Sequence, residues 1–136
     1  YVGHVVAHSL LWVMTIISIG RSLAHILLPD GGAQSIAGIP LDIYAEGAAS
    51  SLIVVFGYWG GSQLLMALLF IVVLWRYRAL IPLMWVLIAL EYVIRLGVSA
   101  IKSETVISAA PGTVANVIII PIAVIMVFLA LRQTKS

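Results

Sequence analysis

Hydrophobic residues along this chain gather into four long runs, and polar residues collect in the breaks between them. The runs cover about residues 2–28, 50–75, 79–101 and 113–131. A helix of about 20 residues, rising about 1.5 Å per residue, crosses a hydrocarbon layer about 30 Å thick, and each run meets that length. The first run stops at "LLPDGG", where Pro29 has no donor and a fixed φ and two permissive glycines follow. The fourth opens after "APGT", a second turn signal. This pattern predicts an all-α chain, a single transmembrane domain over 1–136 built as an integral membrane four-helix bundle.

The first two runs are joined by an outer loop over 29–47, long for a helix connection. Its "IAGIPLDIYAEGAAS" mixes Ile36, Ile39, Leu41, Ile43 and Tyr44 with acids and glycines, so the loop is expected along the membrane interface. There it serves either as a cap over the bundle end or as a lid or docking surface.

Polar residues inside the runs mark the faces that avoid lipid. Steps of four and three along the first span place His4, His8, Leu11, Thr15, Ser18, Ser22 and His25 on one face, with Arg21 beside it. Hydrocarbon cannot satisfy such groups, so the stripe is expected to face the bundle or a partner chain. Its hydroxyls would bond between helices, or the stripe would border a polar cavity with Arg21 and His25 at the mouth. Glu91 and Arg95, one helical turn apart on the third span, read as an ion pair that spares each charge from standing alone in hydrocarbon.

Counting along the helix axes puts Glu91 near mid-membrane and Arg95 and Arg21 in the outer half, a cluster if these spans touch, with one excess positive charge suited to an anionic or carbonyl-bearing guest or to water and a lipid headgroup drawn inward. On the second span, Gly57 and Gly61 stand in a G-x-x-x-G arrangement that serves close packing inside the bundle, packing against a second copy, or approach to a ligand ring, and Tyr58, Trp59 and Gln63 fall near the depth of the cluster. The candidate ligand-binding pocket is therefore Arg21, His25, Tyr58, Gln63, Glu91 and Arg95. The fourth span carries only Asn116 and Pro121 as features, and Pro121 is expected to bend it.

Composition agrees with a lipid solvent. Of 136 residues, 63% are hydrophobic and 9% charged, and the mean hydropathy is +1.21; too few polar side chains exist to cover a soluble fold. Basic residues set the expected orientation: Arg76 and Arg78 between spans two and three, and Arg132 and Lys135 after span four, put both termini in the cytoplasm. Asp30, Asp42, Glu46, Lys102 and Glu104 then lie outside, and a multi-pass protein of the plasma membrane is expected. The first residue is Tyr1, which leaves room for a targeting segment ahead of it.

The same inventory narrows the chemistry. The net charge of +2 is small and scattered, so no nucleic-acid partner is expected. Cys is absent, which removes disulfides, thiolate metal sites and cysteine nucleophiles. His4 and His8 have metal-ligand spacing but no accompanying glutamate, and no second span carries a His for bis-histidine haem. No P-loop, G-x-S-x-G or dinucleotide fingerprint occurs, and no carboxylate dyad falls within a span. No catalytic residue, metal site or cofactor is assigned.

The stretch "YWGGSQLLMALLFIVVLWRYRALIPLM", Tyr58 to Met84, resembles the small four-helix membrane proteins of the DoxX type, with a glycine pair, an apolar run, a basic turn and another apolar run. Tyr58 and Trp59 stand where that family tends to carry an acidic residue, so no functional residue is carried over. The resemblance implies a compact four-helix bundle and an accessory role beside a membrane oxidoreductase. Three expectations follow. The first is a non-catalytic subunit working as a homo-oligomer or within a larger membrane complex. The second is a binder or carrier of a small amphiphile, quinone or anion. The third is an intramembrane enzyme or redox component.

Overall fold

A computed structural model describes residues 3–102 and 111–132. Among these residues the chain is helical, without strands, and forms α1 (Val5–Leu27), α2 (Glu46–Trp75), α3 (Ile81–Ile101) and α4 (Pro111–Leu131). All four helices are long and apolar enough to cross a membrane. Glu104 and Lys135, which entered the expected charge asymmetry, lie outside the described residues.

Local chemistry sets the helix ends. The His4 side chain accepts from the Val6 N–H and caps α1. Helix α2 starts at Glu46, four residues before the expected boundary, so the connection is shorter than 29–47. An acid in the first turn favours that start, and the run of small residues after it leaves the helix unobstructed. Arg78–Leu80 form one 3-10 turn before α3, and prolines open α3 and α4 where a missing N–H does no harm. Helix α4 continues through Pro121.

Helices α1 and α2 pack as one hairpin and α3 and α4 as another, while contacts between the hairpins are few. Those contacts concentrate at the end that carries Arg76 and Arg78. There the Trp85 indole N–H donates to the Ala7 carbonyl at 3.0 Å, and the His4 N–H donates to the Leu129 carbonyl at 3.1 Å. The buried core lies at this end, with Leu11, Phe70, Leu74, Ile81, Trp85 and Met126 among its members. Toward the opposite end, where α1 leads into the loop, cavities lie between the hairpins and Arg95 of α3 reaches the Trp59 ring of α2. The outer surface remains apolar, with Leu65, Val117 and Phe128 largely exposed, as suits a hydrocarbon solvent.

The loop after α1 is compact. Gly31, Gly32 and Gly38 adopt positive φ. Asp30 gathers the chain around itself by accepting from the N–H groups of Gly32, Gln34 and Ser35 at 2.9, 3.1 and 2.7 Å. Burial pushes the Asp30 carboxyl up, but these donors and the Ser35 side chain outweigh it and hold it below its ordinary value.

Candidate functional site

The polar face of α1 turns inward. Thr15 and Ser22 are fully buried and His25 nearly so. The hydroxyls do not bridge helices as expected; Thr15 donates to the Leu11 carbonyl and Ser22 to the Ser18 carbonyl, each one turn back on its own helix. What they provide is smallness. Helix α2 comes so close that a β-carbon on Gly60 would lie 2.7 Å from the His25 β-carbon and 2.9 Å from the Ser22 carbonyl oxygen. The glycine contact is therefore in phase with Gly60, whereas a β-carbon on Gly61 would meet nothing within 4 Å.

Above this close approach, Trp59 organises the open end. His25 stacks on its ring with centroids 4.8 Å apart, Phe56 meets it edge-on at 5.6 Å, and the Arg95 guanidinium lies 4.9 Å from its centroid. Arg95 also lies over Tyr92 and is paired with Glu91 one turn earlier. Its charge is thus compensated by a carboxylate and two aromatic rings. His25 donates its Nδ1–H to the Gly31 carbonyl at 2.8 Å, which fastens the loop to α1.

Arg21 differs from Arg95. Its Nε–H donates to Gln63 Oε1 at 2.8 Å, and among the described residues it forms no ion pair. Gln63 is only 7% exposed, and its Nε2 is buried without a hydrogen-bond partner. Two guanidiniums against one carboxylate leave a single positive charge, and it sits on Arg21.

Two cavities adjoin along Arg21 and Trp59. The first, of about 390 Å³, opens between the hairpins; Arg21, Gln63 and Glu91 stand at its polar end, and Met66, Phe70, Leu87 and Ile88 form its apolar wall. The second, of about 320 Å³, lies under the loop, bounded by Arg21, His25, Ile36, Arg95, Thr113 and Asn116. Asn116 Oδ1 is buried there without a hydrogen-bond partner. No group of three or more His, Cys, Asp or Glu side chains suited to a metal ion occurs among the described residues.

Of the six residues proposed from sequence, Arg21, Gln63 and Glu91 border the first cavity, and Arg21, His25 and Arg95 the second. Tyr58 joins neither and is 73% exposed. Depth along a helix does not give direction around it. At about 100° per residue, Trp59 lies about 40° from Gln63 while Tyr58 lies about 140° away. Trp59 and Asn116 belong to the lining although the six did not include them. The signal for Asn116 was present, since it is the only amide or charged side chain in an otherwise apolar fourth span.

No protein-family model matches the sequence, and neither does any curated protein or solved structure. The resemblance to DoxX-type proteins accordingly rests on residues 58–84 alone.

Proposed function

We propose that this chain is an integral membrane protein that binds a single-tailed amphiphile with an acidic head, the head on Arg21 and Gln63 and the tail in the cleft between the hairpins. One observation carries the reading. A guanidinium without an ion-pair partner among the described residues stands beside a buried amide N–H without an acceptor. Both are at the end of the cleft that also carries Glu91, whose carboxylate is paired with Arg95, while Met66, Phe70, Leu87 and Ile88 line the far part. Arg21 lies six residues before the end of α1, where an arginine in a membrane helix costs less than the roughly 2.5–3.5 kcal/mol of the helix centre, and a carboxylate guest offsets that cost by accepting charge-assisted hydrogen bonds.

Polarity along the cleft supports the same reading. It falls from Arg21 and Gln63 near the loop to Phe70 and Leu87 deeper in, as it does along an amphiphile lying in one leaflet. A volume of about 390 Å³ is at the small end of the roughly 300–1,000 Å³ of ligand pockets, which suits one alkyl chain rather than two. A flat quinone ring fits less well, because Trp59 already has an imidazole and a guanidinium against it. The positive-inside pattern of Arg76, Arg78 and Arg132 supports a plasma-membrane orientation with both termini cytoplasmic.

The test is quenching of tryptophan fluorescence by a brominated fatty acid in nanodiscs. Saturable quenching is expected, largely abolished in Trp59→Phe and shifted to on the order of ten- to hundredfold weaker affinity in Arg21→Met. Equal, non-saturable quenching in all three proteins would remove the proposal.

A second reading, an accessory subunit that packs against copies of itself or a larger complex, draws on Gly20, Gly61 and Gly97. A β-carbon on any of them would meet nothing within 4 Å, which leaves room for close approach of another helix. Native mass spectrometry separates the two readings, since an accessory subunit retains protein partners and a binder retains a small molecule.

A further inference from the structure

The end of the bundle opposite the loop takes no part in the binding reading, yet it has a recess of its own. The recess holds about 510 Å³ and is bordered by Trp75, Arg76, Tyr77, Arg78, Ala79 and Leu80, where α2 ends and the chain turns into α3. Arg132, at the end of α4, comes to the same end of the molecule, since the His4 N–H before α1 reaches the Leu129 carbonyl. No acid among the described residues lies near. Asp30, Asp42 and Glu46 belong to the loop end, and Glu91 follows Ile81 by ten residues of α3, about 15 Å along the axis at 1.5 Å per residue.

The two arginines of the recess are held in different ways. Arg78 donates its Nε–H to the Leu74 carbonyl at 3.0 Å, in the last turn of α2 where main-chain donors run out. That bond fixes the guanidinium plane without using its Nη donors. The Arg76 guanidinium carbon lies 5.7 Å from the Tyr77 ring centroid, and neither arginine has a carboxylate partner among the described residues. Trp75 and Tyr77 are exposed, and such rings at the end of a membrane helix stand at the depth of lipid headgroups. The acceptor that depth supplies is a phosphodiester, which a guanidinium matches in charge and geometry. A zwitterionic headgroup brings an ammonium for which the recess has no acid, whereas an anionic one does not. We infer that this recess seats the headgroup of an anionic phospholipid, with Arg78 as the fixed phosphate donor and Arg76 as the second charge. The inference takes from the proposed function only the placement of the chain in a bilayer; the cleft and its guest play no part.

Trp75 is the reporter. The protein in phosphatidylcholine nanodiscs is titrated with brominated phosphatidylglycerol and, separately, with brominated phosphatidylcholine. The wild type is expected to show saturable quenching by the first lipid, at a mole fraction about five- to thirtyfold lower than the second needs, the increment of one or two basic side chains. Trp75→Phe should remove the saturable component. Arg78→Lys keeps the charge but has no Nε–H for Leu74, and should raise half-saturation about three- to tenfold. Inorganic phosphate in solution should not reverse the quenching. Equal quenching by the two lipids, or a saturable component that survives in Trp75→Phe, would overturn the inference. So would an Arg78→Lys protein that matches the wild type, which would leave only attraction by net charge, or reversal by phosphate, which would make the occupant a free anion. Each of these outcomes leaves the cleft reading in place, whereas a chain that does not enter nanodiscs would remove both. The wild-type comparison of the two lipids needs no variant.

Discussion

Arg21 on α1 donates its Nε–H to Gln63 Oε1 on α2 at 2.8 Å, so the one of the two guanidiniums bordering the cavities that has no carboxylate partner among the described residues is held in place by an amide rather than neutralised by an acid. The bond orients Arg21 without consuming its charge. It also turns Gln63 so that Nε2 is left without a protein partner.

Replacement of Gln63 by Leu separates binding from stability. The variant removes a buried amide with an unmet donor, whose desolvation costs about 1–3 kcal/mol, and gives up one neutral-to-charged hydrogen bond of similar size. The melting temperature is therefore expected to stay within a few degrees of wild type while affinity for an acidic amphiphile falls at least tenfold. Thermal unfolding and fluorescence quenching on the same preparation test this; a fall in both together would mean that Gln63 is only structural.

Gly60 and Gly61 are adjacent, yet their substitution should differ sharply. Alanine at 60 forces its β-carbon against the His25 β-carbon and the Ser22 carbonyl, and is expected to destabilise by about 1–3 kcal/mol as α1 and α2 part. Alanine at 61 enters open space and is expected to be neutral or slightly stabilising through helix propensity. Parallel denaturation curves distinguish the two.

The loop after α1 carries a pH limit of its own. Hydrogen bonds hold the Asp30 carboxyl below its ordinary value of 3.8. A lowered folded pKa means that the stabilisation is fully present above the unfolded value and is lost as pH falls through the folded one. Amide hydrogen exchange at Gly32, Gln34 and Ser35 should remain protected at pH 5 and lose protection well below pH 4, on the order of the aspartate range. Asp30→Asn should show reduced protection already at neutral pH, without the acid transition.

Glu91→Gln removes the carboxylate that compensates Arg95 and leaves two unpaired guanidiniums around the adjoining cavities. Trp59 and Tyr92 retain part of the stabilisation through their ring faces. Expression yield and melting temperature are expected to fall. Affinity for an acidic amphiphile should rise or hold, because the positive charge of the site has grown. A parallel loss of affinity would instead mean that the Glu91 carboxylate supports the bound head and does not merely compensate Arg95.

The sequence carried the four helices plainly, because apolar runs of this length leave few alternatives and Pro and Gly punctuate them. It also carried the inward face of α1, since Thr15, Ser22 and His25 share a helical phase. Phase was equally legible on α2, where it sets Tyr58 apart from Gln63 although both lie at similar depth; the Gly57–Gly61 spacing marks close packing without saying against which helix, and within the bundle the tight contact falls on Gly60. The uneven separation of the hairpins was not readable from any run of residues. It depends on tertiary facts, that Trp85 reaches Ala7 at one end and that at the other the hairpins meet through the Arg95–Trp59 contact with cavities on either side of it.

The pairing of Trp85 with Ala7, and of His4 with Leu129, makes the bundle behave like a clothes peg. The hairpins are joined by main-chain acceptors at this end and by the Arg95–Trp59 contact at the other, so the gap at the cleft is expected to respond to how tightly the surrounding lipids crowd. Affinity measured in nanodiscs of loosely packed, unsaturated lipids should exceed that in saturated ones, and Trp85→Phe, which loosens the spring, should blunt the difference.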